Sequence, residues 1–96
     1  MYASLSILNF GPGMRPADEK AADQFYSIIK TMKGFKGATF FADVEVGEYN
    51  TLVLWDTMEN AEAANSAVAP KMQQALGTIL KKPSTRRIFE VYEPKG

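Results

Sequence analysis

The chemistry open to this chain is bounded first by two residue types it lacks. It contains no cysteine and no histidine. That removes thiolate nucleophiles, Cys/His zinc sites, His-assisted nucleophiles, histidine-ligated haem and any disulfide framework. Carboxylates are the only remaining metal ligands, and neither a metal nor a cofactor is expected. What is left is a set of hydrogen-bond donors and aromatic faces: Trp55, Tyr26, Tyr49, Tyr92, Asn50 and Arg86. Trp55 stands where the apolar run Leu52-Val53-Leu54 passes directly into Asp56-Thr57 and a helix start. Its ring can close a core at that rim or stack on an aromatic ligand. Arg86 and Arg87 with Lys81 and Lys82 form a basic cluster, read either as a solvated loop and strand end or as an anion site; only alternate residues of a strand can face one pocket. Asp43 and Glu45 share a strand face on an edge-type hairpin, where charge serves solubility. Asp56 and Glu59 read as a helix cap, Gly11-Pro12-Gly13 is a turn without the G-x-G-x-x-G spacing of a phosphate cradle, and no residue is assigned as general base.

These residues must be positioned by the elements around them. Tyr2 to Phe10 reads as a strand, with Ala3, Leu5 and Ile7 on one face and Tyr2, Ser4, Ser6 and Leu8 on the other. A helix follows from Pro16, whose first-turn Asp18 and Glu19 complement the positive end of its dipole. Ala22, Phe25, Ile29 and Met32 form its buried stripe, widened by Ala21 and Ile28, and the helix is expected to end at Gly34. Phe35 to Val46 alternates as a second strand. Gly47-Glu48 is a short turn, so Tyr49 to Asp56 pairs back as a hairpin, with Tyr49, Thr51, Val53 and Trp55 on one face and Asn50, Leu52 and Leu54 on the other.

A second helix opens at Thr57 or just before it, with Ala61, Ala64 and Val68 on its buried side. Pro70 is expected to break it at Ala69. A fresh short helix then runs from Pro70 to about Leu76, extensible to Leu80, with Met72, Ala75, Leu76 and Ile79 apolar. Lys81 to Ser84 is a solvated loop, and Arg86 to Glu93 forms the last strand.

The order β-α-β-β-α-β is that of the ferredoxin-like unit, an α+β fold in which two helices cover one face of a four-stranded antiparallel sheet. Neither face of this sheet is polar throughout. The face the helices leave bare is therefore expected to meet a second copy, most simply about a two-fold axis. Ninety-six residues fit one domain, 1–96, small enough to gain from association. The composition, 46% hydrophobic and 23% charged, is that of a folding chain. Eleven basic and eleven acidic residues cancel, so there is no general electrostatic reason to bind nucleic acid or an anionic membrane. The apolar N-terminus reads as a strand, no run is long enough to span a membrane, and a cytoplasmic location is expected.

Several of these segments together resemble the antibiotic biosynthesis monooxygenase (ABM) family of dimeric α+β barrels: Gly34-Phe35-Lys36-Gly37, the run Leu52-Val53-Leu54-Trp55-Asp56-Thr57, the alanine-rich helix behind it, and Val91-Tyr92-Glu93. The most specific piece is Trp55-Asp56-Thr57. The resemblance implies a homodimer whose sheets face each other, with a pocket for a small apolar or aromatic ligand between helices and sheet in each subunit. The family's enzymes include quinone-forming oxygenases that act on polycyclic phenols without metal or flavin, and haem-degrading oxygenases. Haem-degrading members use a histidine as iron ligand, and none exists here. Quinone-forming members carry an asparagine on the tryptophan's own strand face, where this chain has Thr51; the adjacent Asn50 points the other way. On this reading Trp55 and Arg86 are the catalytic candidates, and Tyr26, Tyr49, Asn50, Thr51 and Tyr92 are the candidate substrate contacts. The expected function is a cofactor-independent monooxygenase on a small aromatic or polycyclic phenolic substrate. The alternatives are a non-catalytic dimeric ligand-binding module and an isomerase or cyclase on the same barrel.

Overall fold

The computed structural model describes residues 1–13, 15–77 and 80–95. The elements run β1 (Tyr2–Asn9), α1 (Arg15–Ile29), β2 (Phe35–Asp43), β3 (Glu48–Trp55), α2 (Met58–Leu76) and β4 (Thr85–Glu90). The strands form one antiparallel sheet in the order β2-β3-β1-β4, so the expected ferredoxin-like α+β arrangement is present. Register fixes the faces. Tyr2 pairs with Trp55, Ser4 with Val53, Ser6 with Thr51 and Leu8 with Tyr49, while β4 brings Ile88 beside Ser4 and Arg86 beside Ser6. Because side chains alternate along each strand, this set shares one face, and the helices pack on it. The bare face carries Leu5, Ile7, Leu52, Leu54, Phe41 and Phe89, of which Phe41 is 49% exposed.

The main core lies between that helix-side face and the two helices. Ile29, Val53, Trp55, Ala61, Ala64 and Val68 are buried together, with Phe25, Met32, Phe35 and Ile88 packed around them. Alanines let α2 approach the sheet closely. A second cluster, Leu8, Phe10, Tyr49 and Leu76, closes the other end. Thr57 caps α2 by accepting the Asn60 N–H on its Oγ1 at 3.1 Å, as a threonine ahead of an alanine-rich run should.

Four features differ from the sequence expectation by more than a single residue. Helix α1 stops at Ile29, short of Gly34, because the next residues tighten into i to i+3 bonds: Thr31 N–H donates to Ile28 O and Met32 N–H to Ile29 O. That turn still delivers Met32 to the core, which is why the apolar stripe outlasts the helix. Strand β2 ends at Asp43, and Val44 to Gly47 make the turn, closed by Gly47 N–H on Asp43 O at 3.0 Å. Gly47 has φ 76°, and a Cβ there would strike the backbone of Gly11. Strand β4 ends at Glu90, with Val91 N–H making one further bond to Met1 O.

The fourth correction is Pro70, which sits inside an unbroken α2. A proline in a helix interior costs about 3 kcal/mol through a lost hydrogen bond and a clash. Val68 and Leu76 flank it in sequence and are both buried, each gaining roughly 1.5–3 kcal/mol by staying on the sheet-facing stripe. Continuity therefore wins. Ser66, whose carbonyl loses its partner, is exposed and can be hydrated. Ile79, expected on the apolar side of this segment, lies outside the described residues. Replacing Pro70 with alanine is expected to stabilise the fold by about 2 kcal/mol, the lost helix penalty less the entropy released to the unfolded chain. Urea unfolding followed by circular dichroism checks this, and an unchanged midpoint would mean that the helix bears no strain at Pro70.

Candidate functional site

The helices do not seal against the sheet everywhere. Between them lies a cavity of about 460 Å³, within the size range of small-molecule sites. Its floor is Ser6 and Leu8 of β1, Thr51 of β3, Phe40 of β2 and Arg86 of β4. One wall is Asp18, Ala21, Ala22 and Phe25 of α1; the other is Ala69, Pro70, Met72, Gln73 and Leu76 of α2, with Leu80 and Ser84 beyond it. The space exists because small side chains face one another across it: Ala21 and Ala22 on α1, Ala69 on α2, Ser6 and Thr51 on the sheet.

Two charged groups enter this mainly apolar space. Arg86 is half-buried, and its Nε–H donates to Ser6 Oγ at 3.2 Å. Burial lowers its pKa from the ordinary value, and among the described residues its guanidinium has no ion-pair partner. Asp18 lines the α1 wall. Burial, assisted by the neighbouring Glu19 carboxylate, pushes its pKa from the ordinary 3.8 up to about 6. Glu19 itself is engaged by Arg15, whose Nε lies 3.7 Å from Glu19 Oε2. Among the described residues no three of His, Cys, Asp and Glu come together in a way that could hold a metal ion.

Of the seven candidate residues, the fold brings Arg86 and Thr51 into the cavity. Trp55 is 1% exposed and packs against Phe35, ring centroids 5.9 Å apart, with Nε1–H directed at Ser4 Oγ at 3.4 Å. The space between it and α1 is filled by Ile29 and Met32, so Trp55 is a core anchor and the cavity opens elsewhere. Tyr49 is buried beside Phe10 in the second cluster, and its hydroxyl has no partner among the described residues. Tyr26 lies at the surface against Phe35 and Phe40. Asn50 pairs in register with Ile7 and Phe41, on the bare face. Tyr92 follows β4 and is 80% exposed.

Asp18, Phe40, Ser6 and Gln73 line the cavity without having been singled out for it. A signal was present for Ser6. Ser4 and Ser6 lie on the β1 face that the helices cover, and hydroxyls on a buried face need partners; Ser4 finds Trp55 and Ser6 finds Arg86. For Asp18 there was none, since an acidic residue in a first helical turn is ordinary dipole chemistry.

Comparison with known proteins agrees with this architecture. No protein-family profile matches the chain, and no curated protein sequence matches it. Solved structures do. A protein from Nitrosomonas europaea provisionally described as an antibiotic biosynthesis monooxygenase superimposes with a TM-score of 0.81 at 12% identity, covering 99% of this chain and 93% of its own. SnoaB, a cofactor-independent oxygenase from Streptomyces nogalater, gives 0.76 at 14% identity over 97% and 94% of the two chains. The monooxygenase ActVA-Orf6 of Streptomyces coelicolor, solved with nanaomycin D, gives 0.79 at 16% identity over 98% and 89%. The chain therefore has the fold of the antibiotic biosynthesis monooxygenases. Among the described residues no helix is long and apolar enough to cross a membrane.

The raised pKa of Asp18 carries a stability consequence. Its folded pKa lies above the unfolded one, so the stability it contributes is fully present below about 3.8 and is lost as pH rises through about 6. Asp18→Asn cannot ionise. It is expected to unfold at higher urea than the parent at pH 7.5, with the two midpoints converging towards pH 4. A midpoint difference that stays constant between pH 4 and 7.5 would assign the carboxyl to solvent.

Proposed function

We propose that this chain is a cofactor-independent oxygenase of the ABM type, acting on a small aromatic, phenol-type substrate in the helix–sheet cavity of each subunit of a cytoplasmic homodimer. The observation that carries the reading is a half-buried guanidinium, without a counter-ion among the described residues, in the floor of a mainly apolar, ligand-sized cavity. The folds of SnoaB and ActVA-Orf6 support it from outside the site.

Oxygenation without metal or flavin asks three things of a protein: a dry cavity, a planar slot for an electron-rich ring, and a fixed donor for the negative charge that develops when the ring is deprotonated. Leu8, Phe25, Phe40, Met72 and Leu76 supply the apolar surround. Arg86, aimed by Ser6, supplies the donor, and Thr51 adds a hydroxyl on the same floor. In an anthrone-type substrate the resulting carbanion reduces dioxygen directly. The ring methylene becomes a carbonyl that keeps one oxygen atom, and the other leaves as water with the two hydrogens of that carbon, so no external reductant enters. Trp55 acts at a distance in this scheme, holding Ser4 and with it the strand that presents Ser6.

Oxygen uptake with a panel of anthrones and hydroquinones tests the activity. Arg86→Ala is expected to lower kcat about 10² to 10³-fold, the usual loss for one charge-stabilising donor, and Trp55→Phe far less. Binding of the panel without oxygen uptake would instead support a ligand-binding module.

The partner reading rests on the bare sheet face, where Leu5, Ile7, Leu52, Leu54, Phe41 and Phe89 lie side by side in register. Light scattering is expected to return twice the 10.6 kDa chain mass, and Leu52→Glu, at the centre of that face, to return the single mass. A monomeric parent would overturn the dimer.

A further inference from the structure

The cavity holds two opposite charges that do not meet. Asp18 stands on the α1 wall and Arg86 on the β4 floor, and no ion pair joins them. The Arg86 Nε–H is committed to Ser6, whereas among the described residues the Asp18 carboxylate has neither a hydrogen bond nor a cation. The charged groups nearest in the fold are otherwise used or apart. On α1, Arg15 and Glu19 pair with each other; β3 offers only the buried Tyr49; β4 offers Arg86; and α2 presents the neutral Gln73. A carboxylate drawn partly out of water without a donor is costly, and a ligand that brings the donor relieves that cost.

We propose that Asp18 is the specificity-determining acceptor for a hydroxyl group of the ligand, so that the cavity selects planar aromatics bearing a hydroxyl towards α1 and a second, carbonyl-type oxygen towards Arg86. The inference deepens the function proposed above by naming the residue that recognises a ligand hydroxyl, and it rests on that reading for the cavity being the site. Placement alone argues it: an acceptor and a cation, neither ion-paired among the described residues, on separate walls of a single mainly apolar cavity define a ligand with the complementary pair at its two ends. The acceptor is also tunable. With its pKa near 6, Asp18 is a carboxylate at neutral pH, where its hydrogen bond to a hydroxyl is charge-assisted, and a weaker neutral acceptor below about pH 5.

Equilibrium binding of 2-(hydroxymethyl)anthraquinone, whose alcohol stays protonated throughout, against 2-methylanthraquinone, read by fluorescence titration on the full chain, tests the proposal independently of turnover. The parent is expected to prefer the hydroxylated ligand about tenfold or more at pH 7.5, with the preference shrinking towards pH 5. Asp18→Ala is expected to bind both ligands alike. Asp18→Asn, which is expected to be at least as stable as the parent, keeps a smaller preference that no longer varies with pH. Equal binding of the two ligands by the parent, or an undiminished pH-dependent preference in Asp18→Ala, would overturn the assignment. If the preference behaves as expected while no panel compound consumes oxygen, the oxygenase reading fails and the hydroxyl-recognising role of Asp18 stands.

Discussion

Two helices can cover only one face of a four-stranded sheet, and most of this structure follows from that shortage. The covered face takes the residues that pair across Trp55, Val53, Ser4 and Ile88, and it becomes the core. The uncovered face keeps leucines, isoleucine and phenylalanines that burial in one chain cannot absorb. Even on the covered side the helices reach unevenly. Where α2 presents Ala61 and Ala64, the sheet answers with Val53 and Trp55 and the layers close. Further along, Ala21, Ala22 and Ala69 meet Ser6 and Thr51, and their summed volume is too small to fill the same separation. Close packing at one end and a cavity at the other are thus two results of one spacing.

The same uneven closure decides which polar groups are available for chemistry. At the tight end, Trp55 Nε1–H spends its single donor on Ser4 Oγ inside the core. At the open end, Ser6 accepts the Nε–H of Arg86, and Arg86 lines the cavity. Serines two positions apart on one strand therefore do different work. One satisfies a core tryptophan, and the other aims a cation at a space large enough for a ring system.

Much of this was legible in the residues. Alternation along residues 2–8 and 49–55 assigned those side chains to their observed faces, and the element order gave the topology, because period-two and 3.6-residue patterns each leave a distinct signature. Boundaries were harder. Gly34 marks a left-handed backbone, φ 83°, but the helix ends five residues earlier, since a tight turn keeps Met32 on the same side as a helix would. Pro70 is a genuine local breaker that tertiary burial of Val68 and Leu76 overrides, and a local rule cannot register that. The cavity was least legible. It depends on what small residues from three elements leave unfilled, and Asp18 differs from other first-turn acids chiefly through burial by neighbours distant in sequence.

That distinction bears on how the tryptophan should be read. Trp55 is the chain's most conspicuous residue, and it pairs with Tyr2, whereas the cavity begins at Ser6 and Thr51. Four residues of strand separate the two, roughly 13 Å at about 3.3 Å per residue. A direct role for the indole in the cavity would need a side chain to cross Val53 and Ile29, both buried and packed. Its influence instead runs through the sheet: Trp55 to Ser4, Ser4 along β1 to Ser6, Ser6 to Arg86. Truncating the indole would loosen a strand, whereas removing the guanidinium would take away the one cation in the cavity among the described residues.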